Sequence, residues 1–212
     1  MSITRILFAG LFVLLGLGLL SLGHSLYEDT QELSEMEPVE PGEVDTASGE
    51  VVVEGTARAA DTEMVESKYE GRSSIAHEWR EEREREPGSG TTGDDSMTDW
   101  TTADSGSEIV DFYVEGDSGE AFVDTDSASV SLSTRVVERE TSRRYSEGTL
   151  QPGDEVFVRG QVNEEEEGVS STEVRDGDHS EAVAEGYLGA VIVSVVGLVF
   201  VLVGVVAWRR DS

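Results

Sequence analysis

Two uncharged apolar runs, one towards each end, decide more about this 212-residue chain than anything between them. Residues 6–22, ILFAGLFVLLGLGLLSL, hold no charge and reach about 25 Å as a helix. Ile3, or Leu26 and Tyr27, complete a membrane span. Residues 187–208 are also free of charge and extend about 33 Å. Tyr187 and Trp208 bound this second run, as interfacial aromatics do. A buried core helix is the alternative for the second run. For the first it is a cleavable signal peptide, since Ser21 and Gly23 are small, but the run exceeds a usual signal core and is read as an uncleaved anchor. The expected segments are an anchor over 1–27, a linker over 28–48, a β domain over 49–162, a tether over 163–186, a second span over 187–208 and a cytoplasmic tail over 209–212. Arg5 precedes the first span, and Arg209 and Arg210 follow the second. The positive-inside tendency then puts both termini in the cytoplasm and the middle outside the cell membrane.

Small residues recur every seven positions in each span: Ala9, Gly16 and Gly23 in the first, Ala190, Gly197 and Gly204 in the second. Small residues let backbones approach, and close packing drives helix pairing in lipid. An antiparallel hairpin is expected, with Gly23 near Ala190, Gly16 near Gly197 and Ala9 near Gly204. Gly10 and Gly18 lie off this stripe.

The middle is strongly acidic. The chain carries 45 Asp and Glu against 15 Lys and Arg, with Lys68 the only lysine. Without Arg5, Arg209, Arg210 and Asp211 the remainder keeps 44 acidic and 12 basic side chains. Such a field repels phosphate, so nucleic acid is excluded as a partner, and anionic lipid is disfavoured. Self-repulsion of this size fits a halophilic protein, because molar salt shortens the screening length to roughly 3 Å. A disordered acidic chain is the competing reading, and the regular β patterns described next oppose it.

Residues 28–48 are polar and contain Pro38 and Pro41. EVVVEGTARAA, 50–60, predicts a strand with Val51 and Val53 on one face and a bulge or bend at Gly55. Residues 75–86 are ambiguous: Glu81 with Arg85 favours helix, whereas Ile75, His77 and Trp79 alternate as in a strand. Residues 87–99 read as a loop. IVDFYVEGDSGEAFVD, 109–124, predicts a hairpin turning at 115–119. Residues 129–137 place Val130 and Leu132 on one face. TLQPGDEVFVRGQV, 149–162, predicts a turn at Pro152 and Gly153, then a strand ending at Gly160. Residues 163–186 are acidic, with at most one strand. The fold class expected is mainly β, a small, partly open OB-like barrel flanked by two transmembrane helices, with edge strands protected by charge.

VVVEGTARAAD, the W-x-x-E-x-R strand at Trp79, FYVEGDSGEAFVD and RRYSEGTLQPGDEVFVRGQV resemble the GIDE domain over roughly 50–162. This is the membrane-bordering domain of Mulan-type RING ubiquitin ligases, which has haloarchaeal relatives. Leu150, Pro152, Gly153, Asp154, Val156 and Gly160 form its most specific part. The resemblance implies a domain between two membrane helices, facing away from the cytosol. Ligase activity in that family resides in a zinc-binding RING, which needs Cys and His ligands; this chain has no cysteine.

That lack also excludes disulfides and a thiol nucleophile. His24, His77 and His179 are far apart. His77 is expected to be a strand-surface residue rather than a base. Asp94, Asp95, Asp99, Asp124 and Asp126 lack a calcium-loop pattern and are expected to be structural or solvating. Arg143 and Arg144 are expected to pair with the carboxylate excess, with partner binding as the alternative. No phosphate-binding loop or nucleophile elbow is present. No catalytic, cofactor or metal residue is therefore assigned. The function expected is a membrane-anchored, non-enzymatic scaffold whose partners are membrane lipid and a protein, either a membrane protease, an envelope component or a further copy of itself, met through the barrel or its sheet edges. The alternatives are a component of a RING-type ubiquitin transferase-like system and a cation or solute sensor.

Overall fold

The computed structural model describes residues 3–60, 64–84, 100–163 and 168–209. They divide into a helical unit, built from the two ends of the chain, and a sheet unit, Pro38–Asp178.

The helical unit consists of α1 (Ile3–Glu35) and α2 (His179–Arg209). Both helices are long and apolar enough to cross a membrane. Their large side chains point outward, with Leu14 69% and Leu188 61% exposed. The residues buried between them along the apolar runs are small. A Cβ built on Gly16 would lie 2.7 Å from the Gly197 carbonyl oxygen. One on Gly204 would lie 2.9 Å from that of Ala9, and one on Gly23 3.2 Å from that of Ala190. The three expected pairs are thus formed in an antiparallel hairpin, while Gly10 and Gly18 face nothing within 4 Å. Lipid offers large apolar side chains as good a surrounding as a neighbouring helix does, so closest backbone packing decides the contact face.

The linker expected over 28–48 is corrected. α1 runs on to Glu35, because Thr30 and Leu33 continue the buried stripe. Thr30 meets Gly186 of α2, and His179 Nε2 lies 2.8 Å from the Leu33 carbonyl, satisfying one of the carbonyls orphaned at the end of α1. Residues Pro41–Thr46 form a 3-10 turn whose Val44 enters the core of the sheet unit.

The sheet unit contains β1 (Glu50–Ala59), β2 (Val65–Glu66), β3 (Ser73–Ser74), β4 (Ala76–Glu84), β5 (Trp100–Ile109) and β6 (Phe112–Gly116). It continues with β7 (Gly119–Asp124), β8 (Ser129–Ser131), β9 (Arg135–Arg139), β10 (Arg143–Leu150), β11 (Glu155–Asn163) and β12 (Gly168–Asp176). The larger sheet has the order β11-β1-β6-β7-β12-β8, and β11 also pairs β12. Five strands therefore make a circuit of pairings, β1 to β6, β7, β12, β11 and back to β1. All are antiparallel except β7 with β12. Val53, Phe112, Val114, Val123, Val158 and Val174 are fully buried inside it. The chain is thus mainly β, with an apolar helix on either side of the sheet unit in sequence.

The tether expected over 163–186 is also corrected. β12 is a core strand pairing β7, β8 and β11, because its few apolar residues, Val169 and Val174, both point into the core. The domain boundary expected at Val162 accordingly falls inside β11. Gly55 makes no bulge. β1 keeps register with β11 there and passes to β6 from Thr56, and a Cβ on Gly55 would strike the Glu115 carbonyl. Gly160 does not end its strand; a register shift against β12 falls at Arg159 and Gly160, and β11 continues to Asn163. The hairpin over 109–124 forms as expected, with Asp117 and Ser118 between Gly116 and Gly119 (φ 145°). Gly153 turns the chain between β10 and β11 with φ 100°.

Residues 129–137 do direct Val130 and Leu132 to the core, yet they are not one strand. β8 pairs β12, while β9 joins a second sheet of order β5-β4-β10-β9. Carboxylates hold the crossing: Glu78 accepts the Leu132 N–H at 3.0 Å, and Asp176 accepts that of Ser133 at 2.9 Å. The 75–86 ambiguity resolves to strand; Arg85 and the loop expected over 87–99 lie outside the described residues. Both edges of the second sheet carry a one-residue bulge, Ala103 in β5 and Val137 in β9. Bulges and charges on edge strands discourage addition of a further strand.

Candidate functional site on the second sheet

The second sheet gathers most of the chemically interesting side chains. Register assigns them to two faces, because directly opposed antiparallel residues point the same way. One face carries His77, Trp79 and Glu81 of β4, Tyr145 and Glu147 of β10, and Asp104 and Glu108 of β5. The β2 and β3 hairpin roofs it. Glu147 is buried and accepts backbone N–H groups from Tyr69 and Glu70 at 3.0–3.3 Å. Tyr69 packs on Tyr145 with ring centroids 5.0 Å apart. Lys68 donates to Asp104 at 2.6 Å, and its ammonium sits 4.6 Å from the centre of the Trp79 ring. This contact holds the Asp104 carboxyl below its usual range, with the Trp79 indole as second donor. Trp79 lies flat over Gly106, where a Cβ would come within 2.5 Å of the ring. Arg135 clamps Glu70 from β9 at 2.6 and 2.7 Å.

The expectation that His77 is a surface residue is overturned. It is 2% exposed, with Nε2 3.4 Å from Glu108 and Nδ1 3.7 Å from Glu147. The roof covers it, and spacing in the sequence could not reveal Glu147, which lies 70 positions away on the neighbouring strand. Glu147 spends its oxygens on the roof hairpin, so the arrangement serves to fasten that hairpin to the sheet. Lys68, Tyr69, Asp104 and Glu147 escaped the sequence reading; the one available signal was a single lysine beside a tyrosine in so acidic a chain.

Arg143 and Arg144 stand on opposite faces. Arg143 meets Glu81 at 3.5 Å on the roofed side. On the open face Arg144 grips Glu82 with two nitrogens, the longer contact 2.8 Å, and lies 5.0 Å from the Trp100 ring centre. The hydrogen bonds from Arg144 hold the Glu82 carboxyl below its ordinary 4.5, against a smaller opposing effect of burial. A depressed folded value stabilises the protein above the unfolded value and stops doing so as pH falls through the folded one. The stability gap between wild type and Arg144→Gln should therefore be open at pH 7 and close in acid below pH 4. Denaturant titrations followed by circular dichroism at the two pH values measure it, and a gap of equal size at both refutes the assignment.

Asp124 accepts hydrogen bonds from Asp126 N and Ser170 Oγ, both at 3.1 Å, and is therefore occupied by the protein's own donors. Asp94, Asp95 and Asp99 lie outside the described residues. Among the described residues no group of three or more His, Cys, Asp or Glu is placed to hold a metal. Comparison of the chain with family models, with curated proteins and with solved structures finds no match.

Proposed function

We propose that this chain is a membrane-anchored, non-enzymatic interaction scaffold that displays its acidic sheet unit outside the cytoplasm. The observation carrying this reading is the use made of Glu147: the buried carboxylate beside a buried histidine is spent on fastening a hairpin. The helical unit supports the anchoring role, since its two apolar helices meet through glycine and alanine along their uncharged runs. Arg5, Arg209 and Arg210 flank the spans and support cytoplasmic termini. The surplus of carboxylates supports a salt-adapted setting.

The circuit of five strands, with the third and fifth running parallel, supports a small OB-like barrel. Kinship with the GIDE domain is proposed from the sequence resemblance alone. The residues carrying that resemblance build the fold: Leu150 and Val156 are buried, and Gly153 takes a left-handed turn. Such a resemblance transfers architecture more readily than activity, and ligase chemistry requires zinc ligands that a chain without cysteine cannot supply in the usual RING sets. The bulged edges of the second sheet direct contact towards its faces rather than its edges. Crosslinking in intact cells with mass spectrometry should recover a defined protein neighbour that disappears when the sheet unit is deleted. Ubiquitin-like transfer by the purified chain alone would end the scaffold reading.

A further inference from the structure

Eight of the ten arginines described in the sheet unit lie within ion-pair distance of a carboxylate: Arg58, Arg72, Arg83, Arg135, Arg143, Arg144, Arg159 and Arg175. Arg80 and Arg139 are the two that do not, among the described residues. Both project from the open face of the second sheet. Arg80 stands opposite Ser146, which in turn faces Val136, and Arg139 stands opposite Arg144. Val136 is 43% exposed and is the sole large hydrophobic exposed outside the two helices among the described residues. Neither guanidinium makes an ion pair of 4 Å or less among the described residues, Arg80 reaching Glu82 only at longer range, and both share the open face with the exposed valine in a chain with a threefold excess of carboxylates.

The charge of this face identifies what finishes it. Among the described residues Arg80, Arg139 and Arg144 share it with Glu78, Glu82 and Glu84, so their charges balance, whereas the chain as a whole carries −30. Glu78 is held by the Leu132 N–H and Glu82 by Arg144, which leaves Glu84 exposed and without an ion pair among the described residues. A face that offers both free guanidiniums and a free carboxylate, without net repulsion, is self-complementary. Two-fold contacts require that property, since the same patch must serve both partners. We propose that this open face, centred on Val136 with Arg80 and Arg139, is where a second copy of the chain docks. Anchoring in one membrane confines copies to a plane and raises their effective concentration, so a small patch suffices. The proposal rests on the scaffold reading and names one partner for it.

The absence of cysteine makes the test clean. A Val136→Cys chain in membranes at molar salt should give a disulfide-linked dimer under mild oxidation, whereas Asp117→Cys, in the exposed turn after β6, should not. Adding Arg80→Glu and Arg139→Glu should lower the dimer yield at least tenfold. Wild-type chain reconstituted in lipid bilayers at molar salt that photobleaches as a single protomer, whatever its surface density, overturns the proposal without any variant. A yield from Val136→Cys no higher than from Asp117→Cys also overturns it. If Val136→Cys instead captures a different protein, self-docking falls while the scaffold reading stands.

Discussion

Replacing Gly16 and Gly197 together by leucine will separate the two apolar helices. Any side chain at Gly16 must enter space held by the Gly197 carbonyl and by Val201, at 2.6–2.8 Å from its Cβ. At Gly197 the obstacles are the Gly16 carbonyl and the Leu20 backbone nitrogen, both 2.9 Å away. Backbone cannot yield as a flexible side chain does, so the overpacking costs about 1–3 kcal/mol at each site. Pairing in lipid rests on such contact, with no compensating hydrophobic drive, and the paired population should fall roughly tenfold or more. Phe12 and Phe200, whose rings stack 5.3 Å apart, supply the reporter. A chain carrying Phe12→Cys and Phe200→Cys is joined by a short bis-methanethiosulfonate, each cysteine displacing methanesulfinate, when the hairpin is intact. The joined product should be lost with the leucine pair and kept with Gly10→Leu and Gly18→Leu, which face open space. Equal joining in all three backgrounds would mean that the glycine stripe is incidental.

That hairpin was legible because its signal is local: a seven-residue period and a charge-free length suffice to place two helices face to face. The same holds for the turn at Gly153 and the hairpin at Asp117, where residue type dictates backbone conformation within a few positions. What the sequence concealed depends on partners far away in the chain. β12 looked like tether because it carries only two buried valines, and its role comes from pairing with β7, β8 and β11. The polar stretch after Tyr27 hid two turns of helix, because their stripe is reduced to Thr30 and Leu33 once the helix leaves the apolar run. His77 and Glu147 are adjacent only through the register of β4 and β10, and no spacing rule anticipates register between strands so far apart. The two unpaired arginines are a still subtler case. Composition shows a carboxylate excess, and only the faces of the folded sheet show which arginines make no close ion pair among the described residues.

The circuit of strands is tested most sharply at Gly168. This residue opens β12 and sits on two seams at once, opposite Phe122 in the parallel pair with β7 and opposite Asn163 in the antiparallel pair with β11. A Cβ there would collide with the Phe122 carbonyl oxygen and come within 3.0 Å of the Phe122 Cβ. In Gly168→Val the branched side chain has no direction free of backbone, so β12 must draw away from β7. Overpacking of about 1–3 kcal/mol, with about 1 kcal/mol for each backbone hydrogen bond lost, gives roughly 3–5 kcal/mol. Against a typical domain stability of about 5–15 kcal/mol, the sheet unit should then open at this seam first. Hydrogen exchange on the full chain in detergent at molar salt should show the amides of Phe122 and Asp124, which point at β12, losing protection while those of Val52 and Val158, on the β1 and β11 seam, keep theirs. Gly49→Ala is the control: its φ of 81° imposes local strain of about 1–2 kcal/mol, but nothing lies within 4 Å of the added carbon, so no seam should open. Protection at Phe122 and Asp124 that is unchanged in Gly168→Val would mean that the parallel pairing does not hold the five strands together, and the circuit would be an open sheet.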